Sequence, residues 1–260
     1  MKKVTVVLAH GVLGFGNPTG FPAVASYFNG VSAHLRKAGH AVVSPQVNPF
    51  GSVAQRGSQL GAAILKQVGP KERVHLIAHS MGGLDTRFAL GHVPGVAERV
   101  ATVVTIGTPH RGSPVADAIA HRAGPIFPHV PMFLAHQLER NAGALHDLTT
   151  EACIPFDEST PDLAGIRYID VAGDASRGTH ELLLFQLAAV VGKITGEVND
   201  GVVTRSSALR KGHEHLADWP VDHAGEIGWS LDSVLPAELN LPFVHQPHHF
   251  ARYDAIVDAF

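Results

Sequence analysis

Short runs of β-branched and other apolar residues alternate along this chain with stretches of helical periodicity. The predicted strands are residues 4–9, 41–44, 74–78, 99–106 and 166–172. One predicted helix begins near Val24 and ends at Gly39. Two others cover residues 52–68 and 82–90. This alternation is typical of a mostly parallel sheet with helices on both faces. We therefore predict an α/β fold around one central sheet.

The composition supplies enough apolar material to cover both faces of such a sheet. Of the 260 residues, 45% are hydrophobic and only 17% are charged, which suits one domain over residues 1–260. The formal net charge is -3, and the densest basic spots, Lys2-Lys3 and Arg210-Lys211, are too short for a phosphate-binding face. We expect no nucleic acid partner.

The N-terminus imitates a secretion signal, because two lysines precede the apolar run 4–9. His10 and Gly11 make that run shorter than a signal needs. No apolar stretch reaches the ~20 residues of a membrane helix, so we expect no transmembrane segment. Cys153 is the only cysteine, which fits a reducing compartment without proving one. The compartment stays open: cytoplasmic as the chain stands, or secreted if a leader was removed.

Residues 112–165 form a connection far longer than the usual ~4 to 6 residues between strands. We call this connection the cap segment. Its centre, residues 124–134, mixes glycine and proline with large apolar side chains. Such a segment suits a mobile lid that transiently contacts a lipid interface. It equally suits a cap packed permanently on the sheet, and the pattern leaves both interpretations open.

Ser80 lies where the apolar run 74–78 stops and a helical stretch begins. A serine there occupies a sharp strand-to-helix turn, and small neighbours let the strand and the helix pass close beneath it. Ala78 and Gly82 are those neighbours, although the usual pattern has glycine at the first position. Ser80 could instead cap the helix, but the preceding strand favours a nucleophile.

A serine hydroxyl is a weak nucleophile, so it needs a base for its proton and donors for the oxyanion. One predicted donor is the backbone N–H of Met81, at the N-terminus of the next helix. The glycine-rich turn 10–16 supplies the other, for which we choose Val12. Because this turn has neither G-x-G-x-x-G nor a G-K-[ST] ending, a nucleotide loop is disfavoured. We expect no cofactor.

Four sequence blocks resemble those of the bacterial true lipases, the Pseudomonas and Burkholderia type of triacylglycerol lipase. They are HGVLG at 10–14, AHSMGG at 78–83, TIGTPHRGS at 105–113 and NDGVV at 199–203. The resemblance implies an α/β-hydrolase fold, a Ser/Asp/His triad in that chain order, and hydrolysis of acyl esters such as lipids. A short-chain esterase, polyester depolymerase, phospholipid-cleaving enzyme or acyltransferase would use the same scaffold, and a binding protein could have kept the fold without catalysis.

The resemblance also assigns the other triad members. Asp200, in the Asn-Asp-Gly block, is the implied acid. Its rival is Asp174, which follows a predicted strand directly. His223 matches the block around the family's catalytic histidine. The other candidates among the 18 histidines are His213, His215, His245, His248 and His249.

Lipases of this family usually hold a structural calcium through a carboxylate two residues after the catalytic histidine. That position is Gly225 here, and we expect the adjacent Glu226 to point elsewhere. A hard cation binds poorly without its carboxylates, so the sequence predicts no metal at this site. Two histidine pairs could bind zinc, but no cysteine or acid motif completes a closed site. These pairs, His213/His215 and His248/His249, are therefore interpreted as surface histidines.

Overall fold

The computed structural model describes residues 3–12, 27–139, 142–176, 185–229 and 249–260. Its strands are β1 Thr5–Ala9, β2 Ala41–Val43, β3 Val74–His79, β4 Val100–Ile106, β5 Arg167–Gly173 and β6 Glu214–Trp219. They form one sheet in the order β2-β1-β3-β4-β5-β6, and every neighbouring pair is parallel. The predicted α/β fold is confirmed. The first five strands agree with the predictions to within one residue, whereas β6 was not predicted.

The helices among the described residues lie mostly between consecutive strands. They are α1 Val31–Lys37, α2 Val53–Gln67, α3 Met81–His92, α4 Pro114–His121, α5 Met132–Glu139, α6 Ala142–Asp147, α7 Thr150–Ser159, α8 Phe185–Thr195, α9 Arg205–Ala208 and α10 His249–Asp258. Each of them is too short or too polar to span a lipid bilayer.

The predictions for α2 and α3 are confirmed to within two residues, but the prediction for α1 was too long. Residues 24–26 lie outside the described part, and residues 27–30 form bends and turns rather than helix. Gly30 adopts φ 78 immediately before α1. A left-handed residue interrupts a right-handed helix, so α1 begins only at Val31.

The two faces of the sheet pack against different helices, as the alternation of side chains along a strand requires. In β1, Val6 and Leu8 lie in a core cluster with Leu35 of α1 and Ile256 of α10. Val7 and Ala9 point the other way, into a cluster with Leu60 and Ile64 of α2. Helices therefore cover both faces of the sheet, as predicted.

The carboxyl ends of the parallel strands bring the candidate site residues to one edge of the sheet. Val12 follows β1, Ser80 follows β3, and His223 follows β6 by four residues. Asp174 directly follows β5, and its N–H donates to the carbonyl of Trp219 at 2.7 Å. In open α/β sheets, ligands bind at this edge.

The cap segment contains α4, α5, α6 and α7, which together make the predicted insertion a helical layer. Ile119 of α4, Leu145 of α6 and Cys153 of α7 share a core cluster with Leu84 of α3. This cluster anchors the cap segment on the helix that follows Ser80. Movement of the segment as a lid stays a prediction.

Gly82, in the first turn of α3, lies tightly against the end of β1. A Cβ here would overlap the carbonyl oxygen of Ala9 and stand 2.8 Å from that of His10. We expect Gly82→Ala to lower the free energy of unfolding by about 1–3 kcal/mol, as overpacking does. Thermal unfolding followed by circular dichroism would show the lower Tm.

Gly91 offers a matched control in the same helix. A Cβ at Gly91 meets only Thr160 Cγ2, at an ordinary 3.6 Å. Gly91→Ala should stabilise the helix by up to about 1 kcal/mol, since alanine has the higher helix propensity. Equal Tm values for the two variants would contradict the close packing at Gly82.

Candidate active site

Ser80 joins β3 to α3 through a strained backbone, with φ 56 and ψ -132. Such a conformation costs a non-glycine residue about 1–3 kcal/mol and persists only where its surroundings hold it. Here the Ser80 N–H donates to Ile106 O at 2.9 Å. The Ser80 carbonyl accepts from the Thr108 hydroxyl and from the Gly83 N–H, each at 3.0 Å. The sharp turn expected at Ser80 is therefore present and supported from β4.

The Ser80 side chain does not act as a helix cap. Ser80 occupies the N-cap position of α3, but its hydroxyl makes no capping hydrogen bond. Ala78, where the usual pattern has glycine, is fully buried and pairs with Ala9 of β1. The neighbouring Gly11 passes so close that a Cβ there would stand 2.7 Å from Ser80 Cβ. Small residues on both sides thus let β1 approach the serine turn.

His223 and Asp200 are directly hydrogen-bonded. His223 Nδ1 lies 2.7 Å from Asp200 Oδ2. The other oxygen, Oδ1, accepts from the N–H groups of Val202 at 2.8 Å and Val203 at 2.6 Å. Asp200 is only 1% exposed, and its carbonyl accepts the His223 N–H at 2.9 Å. Both carboxylate oxygens therefore have fixed partners, one of which is the imidazole.

The electrostatics of this pair favour a protonated histidine. Burial lowers the pKa of His223, but the carboxylates of Asp200 and Glu226 outweigh burial and raise that pKa to about 10. Burial raises the pKa of Asp200, and the nearby His223 opposes that rise. An imidazolium formed at His223 is thus strongly stabilised by its surroundings.

Glu226 is a second buried carboxylate at the same histidine, and the sequence analysis did not name it as a site residue. Its Oε2 lies 3.3 Å from His223 Nδ1 and 3.0 Å from His79 Nε2. Burial raises the pKa of Glu226, while His223 lowers it. Glu226 therefore points at the candidate base.

His79, the residue before Ser80, connects the serine turn to the His223 loop. Its Nε2 lies 3.1 Å from the His223 carbonyl, and its Nδ1 lies 2.7 Å from the Tyr27 hydroxyl. Because the groups at Nε2 are acceptors, the contacts are satisfied when Nε2 carries the hydrogen and Tyr27 donates to Nδ1. Burial, followed by the charge of His223, lowers the pKa of His79 well below its ordinary value, so this ring stays neutral.

The two imidazoles also lie side by side, with the ring centroids of His79 and His223 4.5 Å apart. The candidate base is therefore adjacent to the residue that precedes the candidate nucleophile. Sequence reasoning missed this link because the partners are 144 residues apart. The only local signal was the place of His79 beside Ser80.

The rival acid and base candidates have other partners. Asp174 Oδ1 accepts from the N–H and the hydroxyl of Ser176 at 3.1 Å and 2.5 Å. His215 Nε2 lies 2.9 Å from Asp218 at the sheet edge. His245 and His248 lie outside the described residues. Of the acids and histidines that the sequence offered, the structure pairs Asp200 with His223.

The interpretation of His213 and His249 as surface histidines was wrong. The His213 side chain is 3% exposed and lies between Asp170 and Asp162, at 2.8 Å and 3.0 Å. His249 is also buried, and its Nε2 donates to Asn29 O at 2.8 Å. Both rings are buried by long-range partners that the local sequence does not reveal.

The two predicted oxyanion donors belong to elements that meet at Ser80. Met81 is fully buried as the first residue of α3. Val12 ends the described segment after β1 and packs against the core cluster that contains Met81. Residues 13–16 of the predicted glycine-rich turn lie outside the described residues.

The surroundings of Gly225 do not fit the family's calcium. Gly225 carries no side-chain ligand, and its N–H donates to Asp222 Oδ1 at 2.7 Å. His79, His223 and Glu226 bring three potential ligand atoms within 4.8 Å of one another. Those atoms are already engaged in the hydrogen bonds described above. These three side chains therefore hold the His223 loop in place through their hydrogen bonds.

A parallel sheet with a strained serine at the carboxyl end of a central strand defines the α/β-hydrolase class. The mature lipase of Bacillus licheniformis has this fold, with 25% identity and a TM-score of 0.66 over 85% of each chain. A metagenomic carboxyl esterase superimposes with a TM-score of 0.73 over 98% of this chain and 75% of that one. At 19% identity, the second likeness shows the fold alone.

Sequence comparison places the chain within that class. It is 30% identical to a triacylglycerol lipase of Vibrio cholerae, over 88% of this chain and 81% of that protein. Triacylglycerol lipase 2 of Saccharomyces cerevisiae is 29% identical over 78% of this chain, but the match spans 62% of the yeast protein. Residues 60–153 match the family described as PGAP1-like alpha/beta domain. The chain belongs to the bacterial triacylglycerol lipase family of serine ester hydrolases.

Proposed function

We propose that this protein hydrolyses acyl esters through a triad of Ser80, His223 and Asp200. The observation that carries the proposal is the 2.7 Å bond between His223 Nδ1 and the buried Asp200 carboxylate, beside the strained turn of Ser80. With Nδ1 committed to Asp200, the proton acceptor is Nε2 of the same ring. Asp200 holds this tautomer and stabilises the imidazolium.

Acylation begins when His223 Nε2 takes the Ser80 hydroxyl proton and Oγ attacks the ester carbonyl. The carbonyl oxygen becomes an oxyanion, which accepts hydrogen bonds from the N–H groups of Val12 and Met81. As the tetrahedral intermediate collapses, the C–O bond to the alcohol breaks and His223 returns the proton to the leaving oxygen. The product is an acyl ester on Ser80.

Deacylation repeats these steps with water. His223 takes one proton from a water molecule while the water oxygen attacks the acyl carbonyl. The bond to Ser80 Oγ then breaks, and the proton passes from His223 to Oγ. A carboxylic acid leaves and the resting serine is restored.

The proposed substrate is a lipid ester, and the names of the relatives support that class. Within the cap segment, Met132 of α5 is 75% exposed, and we propose that this part of the helical layer makes transient contact with a lipid interface. We treat residues 1–260 as one catalytic domain that includes this cap segment.

The direct test uses a fluorophosphonate probe and a series of p-nitrophenyl esters. We expect the probe to label Ser80, and a lipase to prefer long acyl chains and gain rate at an emulsion interface. A preference for short chains without interfacial gain would indicate an esterase. Transfer to an added alcohol that outcompetes hydrolysis would indicate an acyltransferase. Absence of labelling would favour a non-catalytic protein.

The pH dependence of kcat/KM should be set by the two carboxylates beside His223. A protonated His223 cannot accept the serine proton, so kcat/KM should fall toward acid. Because Asp200 and Glu226 raise the pKa of His223, the midpoint should lie above the ordinary 6.5. Glu226→Gln removes one of the carboxylates and should move this midpoint to lower pH by roughly 1 to 3 pH units.

The measurement is the pH profile of kcat/KM with a soluble p-nitrophenyl ester. Glu214→Gln serves as the control, because Glu214 is exposed and pairs with Arg167. Its profile should match that of the unaltered protein. A Glu226→Gln midpoint that stays in place or moves toward alkaline pH would contradict the proposed coupling.

Chelation should leave the protein unaffected. The calcium position of the family is Gly225 here, which supplies no carboxylate to a hard cation, and its N–H is bonded to Asp222. We expect unchanged activity and Tm after EDTA treatment. A loss of either property that added calcium reverses would refute this expectation.

A further inference from the structure

The two proposed oxyanion donors belong to separate elements, so something must fix the distance between them. Val12 follows β1, whereas Met81 begins α3. A side chain from a third element, Arg56 of α2, bonds to both of these parts. It is fully buried, with 0% exposure, and neither the sequence motifs nor the proposed proton transfers account for it.

The Arg56 guanidinium contacts three groups: one carboxylate and two backbone carbonyls. Its Nε and Nη2 lie 2.9 Å and 2.7 Å from Asp85 Oδ2. Nη2 also donates to the carbonyl of His10 at 2.7 Å. Nη1 donates to the carbonyl of Asn48, in the loop after β2, at 2.9 Å. The planar fork of an arginine suits such divergent acceptors, which one ammonium group satisfies less well.

These contacts reach both sides of the proposed oxyanion hole. His10 lies two residues before Val12, and Asp85 lies four residues after Met81. In a helix, a separation of four residues places two side chains on the same face. Arg56 therefore holds the loop after β1 and the first turns of α3 at a fixed spacing.

Close packing of α2 on α3 brings the guanidinium to this position. A Cβ on Gly57, next to Arg56, would stand 2.8 Å from the Asp85 carbonyl oxygen and 2.7 Å from the Phe88 ring. Only glycine permits this approach. The helices are thus close enough for a buried arginine to pair with an aspartate across their interface.

The same loop is held on its other side by the His10 ring. His10 Nδ1 donates to Gly11 O at 2.9 Å, and Nε2 accepts the N–H of Val47 at 3.2 Å. Burial, followed by the charge of Arg56, lowers the pKa of His10 to about 4, so the ring is neutral near neutral pH. From α2, the bond of Arg56 to the His10 carbonyl holds the loop at a second point.

We propose that Arg56 is a positioning residue that sets the spacing of the oxyanion donors Val12 and Met81. This inference rests on the proposed function, because it presumes that an oxyanion forms beside Ser80. A purely structural ion pair would contribute to stability alone. A positioning residue must in addition change the binding of a transition-state analogue.

The test compares Arg56→Met, Arg56→Lys and Arg99→Met. Arg99 is the matched control, because it also bonds two backbone carbonyls, those of Leu65 and Val68, but at the opposite end of the sheet. Fluorophosphonate titration gives the concentration of active sites, and kcat, KM and inhibition by an alkyl boronic acid are then measured per active site. The boronic acid forms a tetrahedral adduct that mimics the oxyanion.

Loss of a whole oxyanion donor costs about 10²–10³ in kcat, so a displaced donor should cost less, about 10- to 100-fold. We expect this loss in Arg56→Met with KM nearly unchanged, and boronic acid affinity should weaken by the same factor. Arg56→Lys should recover part of both losses. Arg99→Met should lower Tm while it keeps kcat per active site.

An unchanged kcat and boronic acid affinity per active site in the Arg56 variants, with only Tm reduced, would overturn the proposal. If Arg56→Met does not fold, Arg56→Lys decides alone by whether kcat and boronic acid affinity fall in parallel. A wild-type protein that the probe does not label would overturn the proposed function instead, and this inference with it.

Discussion

Replacing Ser80 with alanine should reduce kcat for a p-nitrophenyl ester by about 10⁶-fold, the loss seen when a triad nucleophile is removed. The loss is so large because the acyl-enzyme can no longer form. A small residual rate should remain, since the oxyanion donors and substrate binding are left in place. The fluorophosphonate probe should no longer label the protein.

The fold should survive this substitution. The Ser80 hydroxyl makes no capping bond to α3, and the bonds that hold the strained turn use the Ser80 backbone. Tm should therefore change little. Ser159→Ala is the control, because that serine is exposed and its hydroxyl bonds within its own helix, at Phe156 O. Ester hydrolysis above background in Ser80→Ala would refute the assignment of the nucleophile.

The serine turn could be predicted because its signals are local. A buried strand, a serine and a helix with glycine at its start follow one another within residues 74–84. A strand buried on both faces reads as a continuous apolar run. The sharp turn between such a strand and a helix then follows from the small residues beside Ser80.

Strand β6 could not be predicted because its sequence resembles a surface segment. Residues 214–219 read EHLADW, and β6 pairs only with β5 in the described sheet. An edge strand tolerates charged side chains, which also discourage pairing with other chains. Because this edge strand is polar, it lacks the apolar run by which the other strands were predicted.

The partners of the candidate base were also beyond local reasoning. Asp200 and His223 were matched through family blocks rather than through any spacing rule. Glu226 lies only three residues after His223, yet its second contact, His79, is 147 residues away. Burial of His213 likewise depends on Asp170, 43 residues earlier in the chain. Such contacts follow from the sheet order, which the sequence pattern does not specify.

The second large effect concerns Asp200, where the choice of substitution decides the outcome. In Asp200→Asn, one amide atom must still accept the N–H groups of Val202 and Val203, which are bonded to Oδ1. The carbonyl oxygen takes that place, so the NH₂ group faces His223 Nδ1. A donor at this position imposes the wrong imidazole tautomer, and we expect kcat to fall by about 10⁴-fold.

Asp200→Ala should be less damaging, although it removes more atoms. It leaves no donor at His223 Nδ1, and the Glu226 carboxylate at 3.3 Å remains as an acceptor for the Nδ1 hydrogen. We expect this variant to be at least about tenfold more active than Asp200→Asn, because the productive tautomer is kept. The measurement is kcat per active site for both variants with the same soluble ester.

Combining Asp200→Ala with Glu226→Gln tests this explanation. If Glu226 substitutes for Asp200, the double variant loses both carboxylates and its activity should fall to about the 10⁴-fold loss expected for a misoriented histidine. The combined loss should exceed the product of the two single losses, which is the signature of residues that share one partner. Asp174→Asn, at the rival acid bonded to Ser176, should keep most of the activity. A larger loss of kcat in Asp174→Asn than in Asp200→Asn would assign the acid role to Asp174. If the loss in the double variant equals the product of the two single losses, Glu226 does not accept the Nδ1 hydrogen.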